Sequence, residues 1–380
     1  MKIIILKKNL LSGLNAVEKA VGMNSNLPVL KDVLLKIDDG KIQLMSTDLE
    51  LAVKYNLVGK IVENGEIAIP FSVLSSIVKN LVSERVTLEQ KDRKLIVSTE
   101  NYEATIQGQD AHEFPIIPSV HNTKQSIIIP TEAFREALSG VTVAAQYSEI
   151  RPEISGMLFK IGDDKLMLVA TDTFRLAEYT FLTDRFKSTF DSVSVIVPLR
   201  TVQELLRVLS GDSGENIEVF IDSNQILFKT RNEEIISRLI DGRFPEYQGI
   251  IPREIQSEAI VNRQELLGAI KLVSSCAPRT QDITIRSGDN NKFLEIYSAD
   301  SALGENNYKI IARVKDGPFS VVFNWRYLLD GVRVYHNEDI ALGVNPSGPV
   351  TVRGVGDSAL TYVVMPIRIE NLNKPVEDKG

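Results

Sequence analysis

The sequence predicts an α+β chain built as three tandem copies of one domain, each an antiparallel sheet with two helices on one face. Three observations carry this. A strand running straight into an amphipathic helix occurs three times: Ile3-Ile4-Ile5-Leu6 before a helix over 10–21, Ile127-Ile128-Ile129-Pro130 before 131–143, and Ala259-Ile260-Val261 before 263–274. A second helix recurs behind Ile67-Ala68-Ile69-Pro70, Val195-Ile196-Val197-Pro198 and Val321-Val322-Phe323-Asn324. Between the two helices each copy carries Thr-Asp or its relic, as Thr47-Asp48, Thr171-Asp172 and Ala299-Asp300, spaced 124 and 128 residues apart. That period is too long for a solenoid unit and suits a whole domain.

The strands follow from short β-branched runs bounded by turn residues. Val33-Leu34-Leu35-Lys36-Ile37, Lys41-Ile42-Gln43-Leu44-Met45, Lys94-Leu95-Ile96-Val97-Ser98 and Lys165-Leu166-Met167-Leu168-Val169 are of this kind, and they imply about eight strands per copy. Asp39-Gly40 and Asp163-Asp164 read as hairpin turns. Proline-rich junctions at Phe114-Pro115-Ile116-Ile117-Pro118 and Phe244-Pro245-Glu246-Tyr247 stop sheet propagation. The expected domains are 1–122, 123–253 and 254–369, with 370–380 a polar, disordered tail.

Composition narrows the function. With 43% hydrophobic residues each copy can fill its own core, and no run approaches the roughly 18 apolar residues of a membrane helix. The apolar stretch near Met1 is too short for a secretory signal and reads as a first strand, so a cytoplasmic protein is expected. A single cysteine, Cys276, excludes an intrachain disulfide and a cysteine-rich metal site, and is expected as a small buried hydrophobe. The net charge of −7 taken alone argues against nucleic acid, but it averages over surfaces of which a partner meets one.

The helices carry a sign of their own. In the second helix of the middle copy Val202, Leu205, Leu206 and Leu209 form an apolar stripe, while Arg200 and Arg207 lie seven apart on another face. The third copy repeats this with Trp325, Leu328, Leu329 and Val332 against Arg326 and Arg333, and its first helix holds Arg263 and Lys271. With Lys19, Lys79 and Arg135 the six helices reach +3, which leaves −10 for the rest. A positive helical surface and a negative remainder are implied. Surface helices often carry such cations for solubility alone, but the recurrence favours a polyanion.

Reactive constellations are missing from the sequence. There is no phosphate-binding glycine loop, no H-E-x-x-H and no G-x-S-x-G elbow. His112, His121 and His336 have no metal-ligand spacing, and the repeated Thr-Asp reads as turn chemistry rather than paired catalytic acids. No cofactor, metal or catalytic residue is expected.

Several ordered stretches carry a resemblance: Asn26-Leu27-Pro28-Val29-Leu30, Ser46-Thr47-Asp48-Leu49-Glu50, Gly156-Met157-Leu158-Phe159, Ala170-Thr171-Asp172 with Arg175-Leu176, Asp241-Gly242-Arg243-Phe244-Pro245-Glu246-Tyr247, and Tyr362-Val363-Val364-Met365-Pro366-Ile367-Arg368-Ile369. Over 1–369 the chain resembles the bacterial DNA polymerase III beta subunits, the sliding clamps. The resemblance implies three DNA-clamp domains and a ring-forming head-to-tail homodimer, with helices inside and sheets outside. By the same resemblance the ring is expected to encircle duplex DNA without reading sequence, and to tether the replicative polymerase, the clamp loader and repair polymerases through short linear peptides, in the cytoplasm at the nucleoid. It also implies a non-catalytic processivity role.

Carried onto this sequence, the DNA-facing residues are Lys79, Arg135, Arg200, Arg207, Arg263, Lys271, Arg326 and Arg333. The partner-peptide pocket is Ile154, Thr171, Thr173, Phe174, Arg175, Leu176, Pro245, Ile250, Val363, Val364, Met365, Pro366, Ile367 and Arg368, with Arg175 and Arg368 available for polar or carboxylate groups. The dimer interface is expected where strand 102–107 meets 301–308, through Tyr102, Ala104, Ile106, Ser301, Leu303 and Glu305. Four positions depart from the resemblance: Phe174 and Gly249 at the pocket, Asn24 and Leu199 toward DNA. The alternative is a clamp-like docking scaffold that does not encircle DNA.

Overall fold

The computed structural model describes residues 1–22, 27–117, 119–120, 124–162, 164–211, 214–288, 291–345 and 348–367. Asn24, Asn26, His121, Asp163, Arg368 and the expected tail lie outside the described residues. The chain forms two compact units, Met1–Arg135 with Thr183–Asp241, and Glu136–Leu182 with the described residues from Gly242 onward. The division passes through the middle repeat, because sheet pairing ties each half of that repeat to a neighbouring repeat.

Among the described residues six α-helices stand where the repeat predicts them: α1 (Lys7–Val17), α2 (Phe71–Asn80), α3 (Thr131–Thr142), α4 (Leu199–Leu209), α5 (Arg263–Val273) and α6 (Trp325–Arg333). α1 begins three residues earlier than its apolar periodicity suggests and passes into a 3-10 turn at Glu18–Ala20. The reason is local. Lys7 donates its backbone N–H to Glu84 O at 2.7 Å, and its ammonium donates to Lys79 O at 3.3 Å and to Leu81 O. A cation thus meets the C-terminal carbonyls of α2 and fixes the start of α1. In α4 the stripe is Val202, Leu205 and Leu209, with Leu206 half-buried. Thr201 is buried beside them and hydrogen-bonds Ser237 Oγ at 2.7 Å. Asn262 and Asn324 cap α5 and α6 by accepting from Glu265 N and Arg326 N.

In the first unit a five-stranded antiparallel sheet runs Gly59–Glu63, Lys2–Leu6, Arg85–Lys91, Lys94–Ser98, Glu103–Gln107. A nine-stranded sheet runs Lys187–Ser188, Ile127–Pro130, Asn216–Ile221, Gln225–Lys229, Glu233–Arg238, Leu51–Leu57, Lys41–Thr47, Asp32–Asp38, Gly65–Pro70. In the second unit the order is Gly156–Gly162, Lys165–Thr171, Arg175–Leu182, Leu360–Val364, Val350–Gly354, Asp339–Val344, Ser257–Asn262, Gly304–Lys315, Phe293–Asp300, Asp282–Ser287, Ser320–Asn324. All the pairs are antiparallel.

The Thr-Asp repeat is turn chemistry, as its spacing suggests. Thr47 Oγ1 accepts from Leu49 N and donates to Leu51 O, while Asp48 Oδ1 accepts from Glu50 N and Leu51 N. Thr171 and Asp172 make the same four bonds to Thr173, Arg175, Phe174 and Arg175. Asp300 keeps the carboxylate half, accepting from Ala302 N and Leu303 N. The threonine and aspartate compensate a left-handed residue inside the first two turns, Leu49 at φ 80° and Thr173 at φ 77°.

Each of these turns launches a strand with a topological role. The strand Leu51–Leu57 pairs with Glu233–Arg238, the last strand of the middle repeat, in register Leu51↔Ser237 to Tyr55↔Glu233. The equivalent strand Arg175–Leu182 pairs with Leu360–Val364, the last strand of the third repeat, from Arg175↔Val364 to Tyr179↔Leu360. The third such strand, Gly304–Lys315, pairs over 304–311 with Phe293–Asp300 and is joined by Ser257–Asn262 only from Ala312 onward. Among the described residues the other edge of 304–311 is unpaired. The last strand of the first repeat, Glu103–Gln107, likewise pairs only with Lys94–Ser98.

Candidate functional site

The described residues of the expected peptide pocket lie within the second unit. Its floor is core: Ile154, Thr171, Leu176, Val363 and Val364 are buried, so only part of the expected residues can meet a partner. The exposed rim is Phe174, at 57% exposure, with Thr173, Ile250 and Ile367, and Pro245 and Met365 are half-buried beside Pro366. Met365 N donates to Phe174 O at 2.8 Å and Ile367 N to Val322 O at 2.8 Å, so the chain after Leu360–Val364 is tethered along this rim. The arrangement offers an apolar shelf with a flexible thioether, suited to short hydrophobic side chains of more than one shape.

Arg175 does not serve as the free cation that the sequence suggests. Its side chain is 12% exposed, and it donates to Asp172 Oδ2 at 2.8 Å and to Asp330 Oδ2 of α6 at 2.7 Å. Its guanidinium also lies over the Tyr327 ring, 4.5 Å from the centroid, and Phe174 stacks on that ring at 6.1 Å and 23°. Burial works against the charge, but the Tyr362 phenol, Asp330 and Asp172 outweigh it and hold the group firmly protonated. Arg175 therefore joins strand Arg175–Leu182 to α6 and sets the angle of the Phe174 shelf. Tyr362 completes the joint: its hydroxyl donates to Tyr327 O at 2.8 Å, and burial raises its pKa. Sequence reasoning missed Tyr327 because it falls between the apolar stripe of α6 and the arginine face and belongs to neither pattern.

Helix cations are exposed or half-exposed, as expected, but several are already partnered. Arg135 pairs with Glu132, Arg207 with Glu204 and Arg333 with Asp330, in each case an acid three residues earlier on the same helix. Arg200 pairs with Asp48 at 2.5 Å and donates to Lys19 O at 2.8 Å. Arg263 donates to Asn337 O, and Arg326 donates to Gln281 while lying over Trp325. Exposed Lys79 and Lys271 have no ion pair among the described residues. These partners weaken the field of the helix face without cancelling it.

At the expected interface, Ala104 and Glu305 lie on the two strands with unpaired edges, and Tyr102, Ser301 and Leu303 are exposed beside them. Ile106 is corrected: its side chain is buried in its own sheet's core, so only its backbone can face outward. Cys276 is half-buried rather than buried, in the 3-10 turn Ser274–Cys276. Among the described residues no cluster of histidine, cysteine and carboxylate groups could hold a metal ion, and no helix is long and apolar enough to cross a membrane.

Three family models match in order along the chain: the N-terminal domain of the DNA polymerase III beta subunit over residues 1–118, its central domain over 128–246 and its C-terminal domain over 248–368. The chain belongs to the DNA polymerase III beta subunit family. A beta sliding clamp of Synechococcus elongatus is 30% identical over 379 residues, covering 98% of this chain and 100% of its own length. That of Bacillus subtilis is 27% identical over 380 residues, covering 97% and 100%. Among solved structures, the DNA polymerase III beta subunit of Pseudomonas aeruginosa superimposes with a TM-score of 0.90 at 26% identity, over 97% of this chain and 100% of that one.

Three tandem clamp domains and a sliding-clamp role in DNA replication are thus established for this beta subunit, as the resemblance implied. It is a processivity subunit and not an enzyme, which agrees with the missing reactive constellations. Of the departures, Phe174 forms the shelf on Tyr327, Gly249 leaves open space beyond its Cα, and Leu199 opens α4.

Proposed function

We propose that two copies pair head to tail, with strand Glu103–Gln107 of one joined to residues 304–311 of the other, closing a ring around duplex DNA. One observation carries the reading. The strand after each Thr-Asp turn and the last strand of a repeat pair twice within the chain, and the third set leaves two unpaired edges of the same kinds. A second copy satisfies both edges by the pairing the chain already uses, and edge strands left open invite association. Tyr102, Ala104, Ser301, Leu303 and Glu305 flank that join. The repeats are read as 1–122, 123–253 and 254–369, in a protein of the cytoplasm, at the nucleoid.

In this reading Lys79, Arg135, Arg200, Arg207, Arg263, Lys271, Arg326 and Arg333 face phosphates, and their ion pairs keep the attraction weak enough for sliding. Retention is then topological. Short linear peptides of the replicative polymerase, the clamp loader and repair polymerases dock on the Phe174, Ile250, Met365 and Ile367 shelf. Sedimentation and small-angle scattering over a concentration series test the ring. A hollow particle of twice the 42.3 kDa chain mass is expected. A compact monomer at every concentration removes the topological mechanism and leaves a docking scaffold.

A further inference from the structure

The first unit holds a cavity of about 290 Å³ where the sheet of the first repeat joins that of the middle repeat. Its walls are the helical side of the Leu51–Leu57 and Glu233–Arg238 pair, the end of α1 and the last turns of α4. Four charged side chains line it, Lys19, Glu204, Arg207 and Glu233, among the polar groups of Asn15, Tyr55, Thr230 and Asn232. Glu204 and Arg207 pair with each other. The remaining two are opposite in sign and have no ion pair among the described residues. Lys19 is exposed, whereas Glu233 is 8% exposed and its Oε1 has no hydrogen-bond partner among the described residues.

A buried carboxylate oxygen without a donor is costly. The backbone at Glu233 is fully engaged: its N–H and C=O both bond the Thr230 hydroxyl, and its strand position faces Tyr55. The side chain is thus presented to the cavity by sheet alternation, on the same face as Ile235 and Val53. Burial pushes its pKa up to about 7, Arg207 opposes the shift and Glu204 adds to it. No backbone strain or loop disorder is needed to account for the arrangement.

We propose that this cavity is a binding site for a small zwitterion, which offers an ammonium group to Glu233 and an anionic group to Lys19. The volume suits a molecule of metabolite size rather than a peptide segment. Asn15, Thr230 and Asn232 supply neutral hydrogen-bonding groups between the two charged ends, while the paired Glu204 and Arg207 contribute no net charge. A simple cation meets only Glu233 and a simple anion only Lys19, whereas a zwitterion meets both. Because the ammonium requires ionised Glu233, occupancy rises as pH passes upward through the titration of that group, facing Lys19, Arg207, Glu204 and Tyr55. The site is independent of peptide docking on the Phe174 shelf, which lies in the other unit.

Saturation-transfer NMR on the full chain tests this with ω-amino acids of graded length as probes, and with n-butylamine and butyrate as single-charge controls. At least one ω-amino acid should bind about tenfold more tightly than either control, and more tightly at pH 8 than at pH 6. Glu233→Gln should abolish the preference and its pH dependence, and Ala16→Met, which adds bulk to the cavity wall and keeps all four charged groups, should weaken binding by a similar factor. A crystal soaked with the best probe should show it between Glu233 and Lys19. Equal binding by wild type and Glu233→Gln, or no preference for the zwitterions over both controls, overturns the proposal. Circular dichroism of each variant separates loss of the site from loss of the fold.

Discussion

Arg175 and Asp330 meet at 2.7 Å, and through this bond the strand that opens after the Thr171-Asp172 turn is locked to α6. The same guanidinium holds Asp172 Oδ2, while Asp172 Oδ1 closes the turn itself. One carboxylate thus serves local turn chemistry and tertiary attachment together. In the first repeat Asp48 does the same, with Oδ1 in the turn and Oδ2 on Arg200 of α4. An aspartate in this motif therefore joins a strand start to a helix in two repeats.

Replacing Arg175 by alanine leaves the buried Asp172 without its cation and the half-buried Asp330 with only the longer contact to Arg333. The expected cost is about 3 kcal/mol of stability in the second unit, since removing one partner of a buried pair strands the other. The Phe174 shelf loses its backing at Tyr327, so peptide affinity falls as a secondary effect. Urea unfolding of Arg175→Ala, Asp330→Asn and the double variant measures this. The double variant should recover part of the loss, and additive losses would show that the two residues do not interact.

Gly331 on α6 faces the Tyr362 ring, where an added Cβ would lie 2.2 Å from Cε1. Tyr362 is fully buried and its hydroxyl is fixed on Tyr327 O, so the ring cannot swing away without losing that bond. Gly331→Ala should cost about 2 kcal/mol although alanine is the better helix former. Thermal unfolding checks the sign, and a stabilised variant would mean that the ring relaxes freely.

Asp32 is 3% exposed, its Oδ2 has no hydrogen-bond partner among the described residues, and burial raises its pKa to about 6 from 3.8. The folded state therefore holds a proton that the unfolded chain has released between those values. Stability contributed by the neutral form is present below pH 4, falls as pH rises to 6, and stays lost above it. Asp32→Asn should leave stability at pH 4 almost unchanged and raise it at pH 8 by about 2–3 kcal/mol. Denaturant titrations at the two pH values decide it, and an equal effect at both would remove the titration as the cause.

The repeats, the helix positions and the turn chemistry were legible because each rests on local pattern: apolar periodicity, β-branched runs and side chains that bond backbone two or three residues away. The buried members of the pocket were legible only as apolar residues. Whether Val363 and Val364 face a partner or a core depends on the strand Arg175–Leu182 beside them, which is a long-range pairing. The engagement of Arg175 is not legible for the same reason, since Asp330 lies 155 residues away in sequence. The i,i+3 acids on α3, α4 and α6 are visible in the sequence, but a sum of helix charges does not show which cations they hold.

Those pairs set the last prediction. Reversing Arg200, Arg207, Arg326 and Arg333 together removes four cations, leaves Asp48 and Glu204 without partners and leaves Asp330 with Arg175 alone, so the helix face turns negative. Dwell time on nicked circular DNA, and processive synthesis, should fall steeply, with the wild type losing affinity for linear duplex as salt rises. Replacing Glu132 and Glu204 by glutamine works the other way, freeing Arg135 and Arg207: binding to linear duplex should tighten, the salt slope steepen by about one to two, and sliding slow. Single-molecule diffusion along stretched DNA separates the two outcomes. Unchanged diffusion and unchanged processivity in both variants would place the phosphates elsewhere than on these helices.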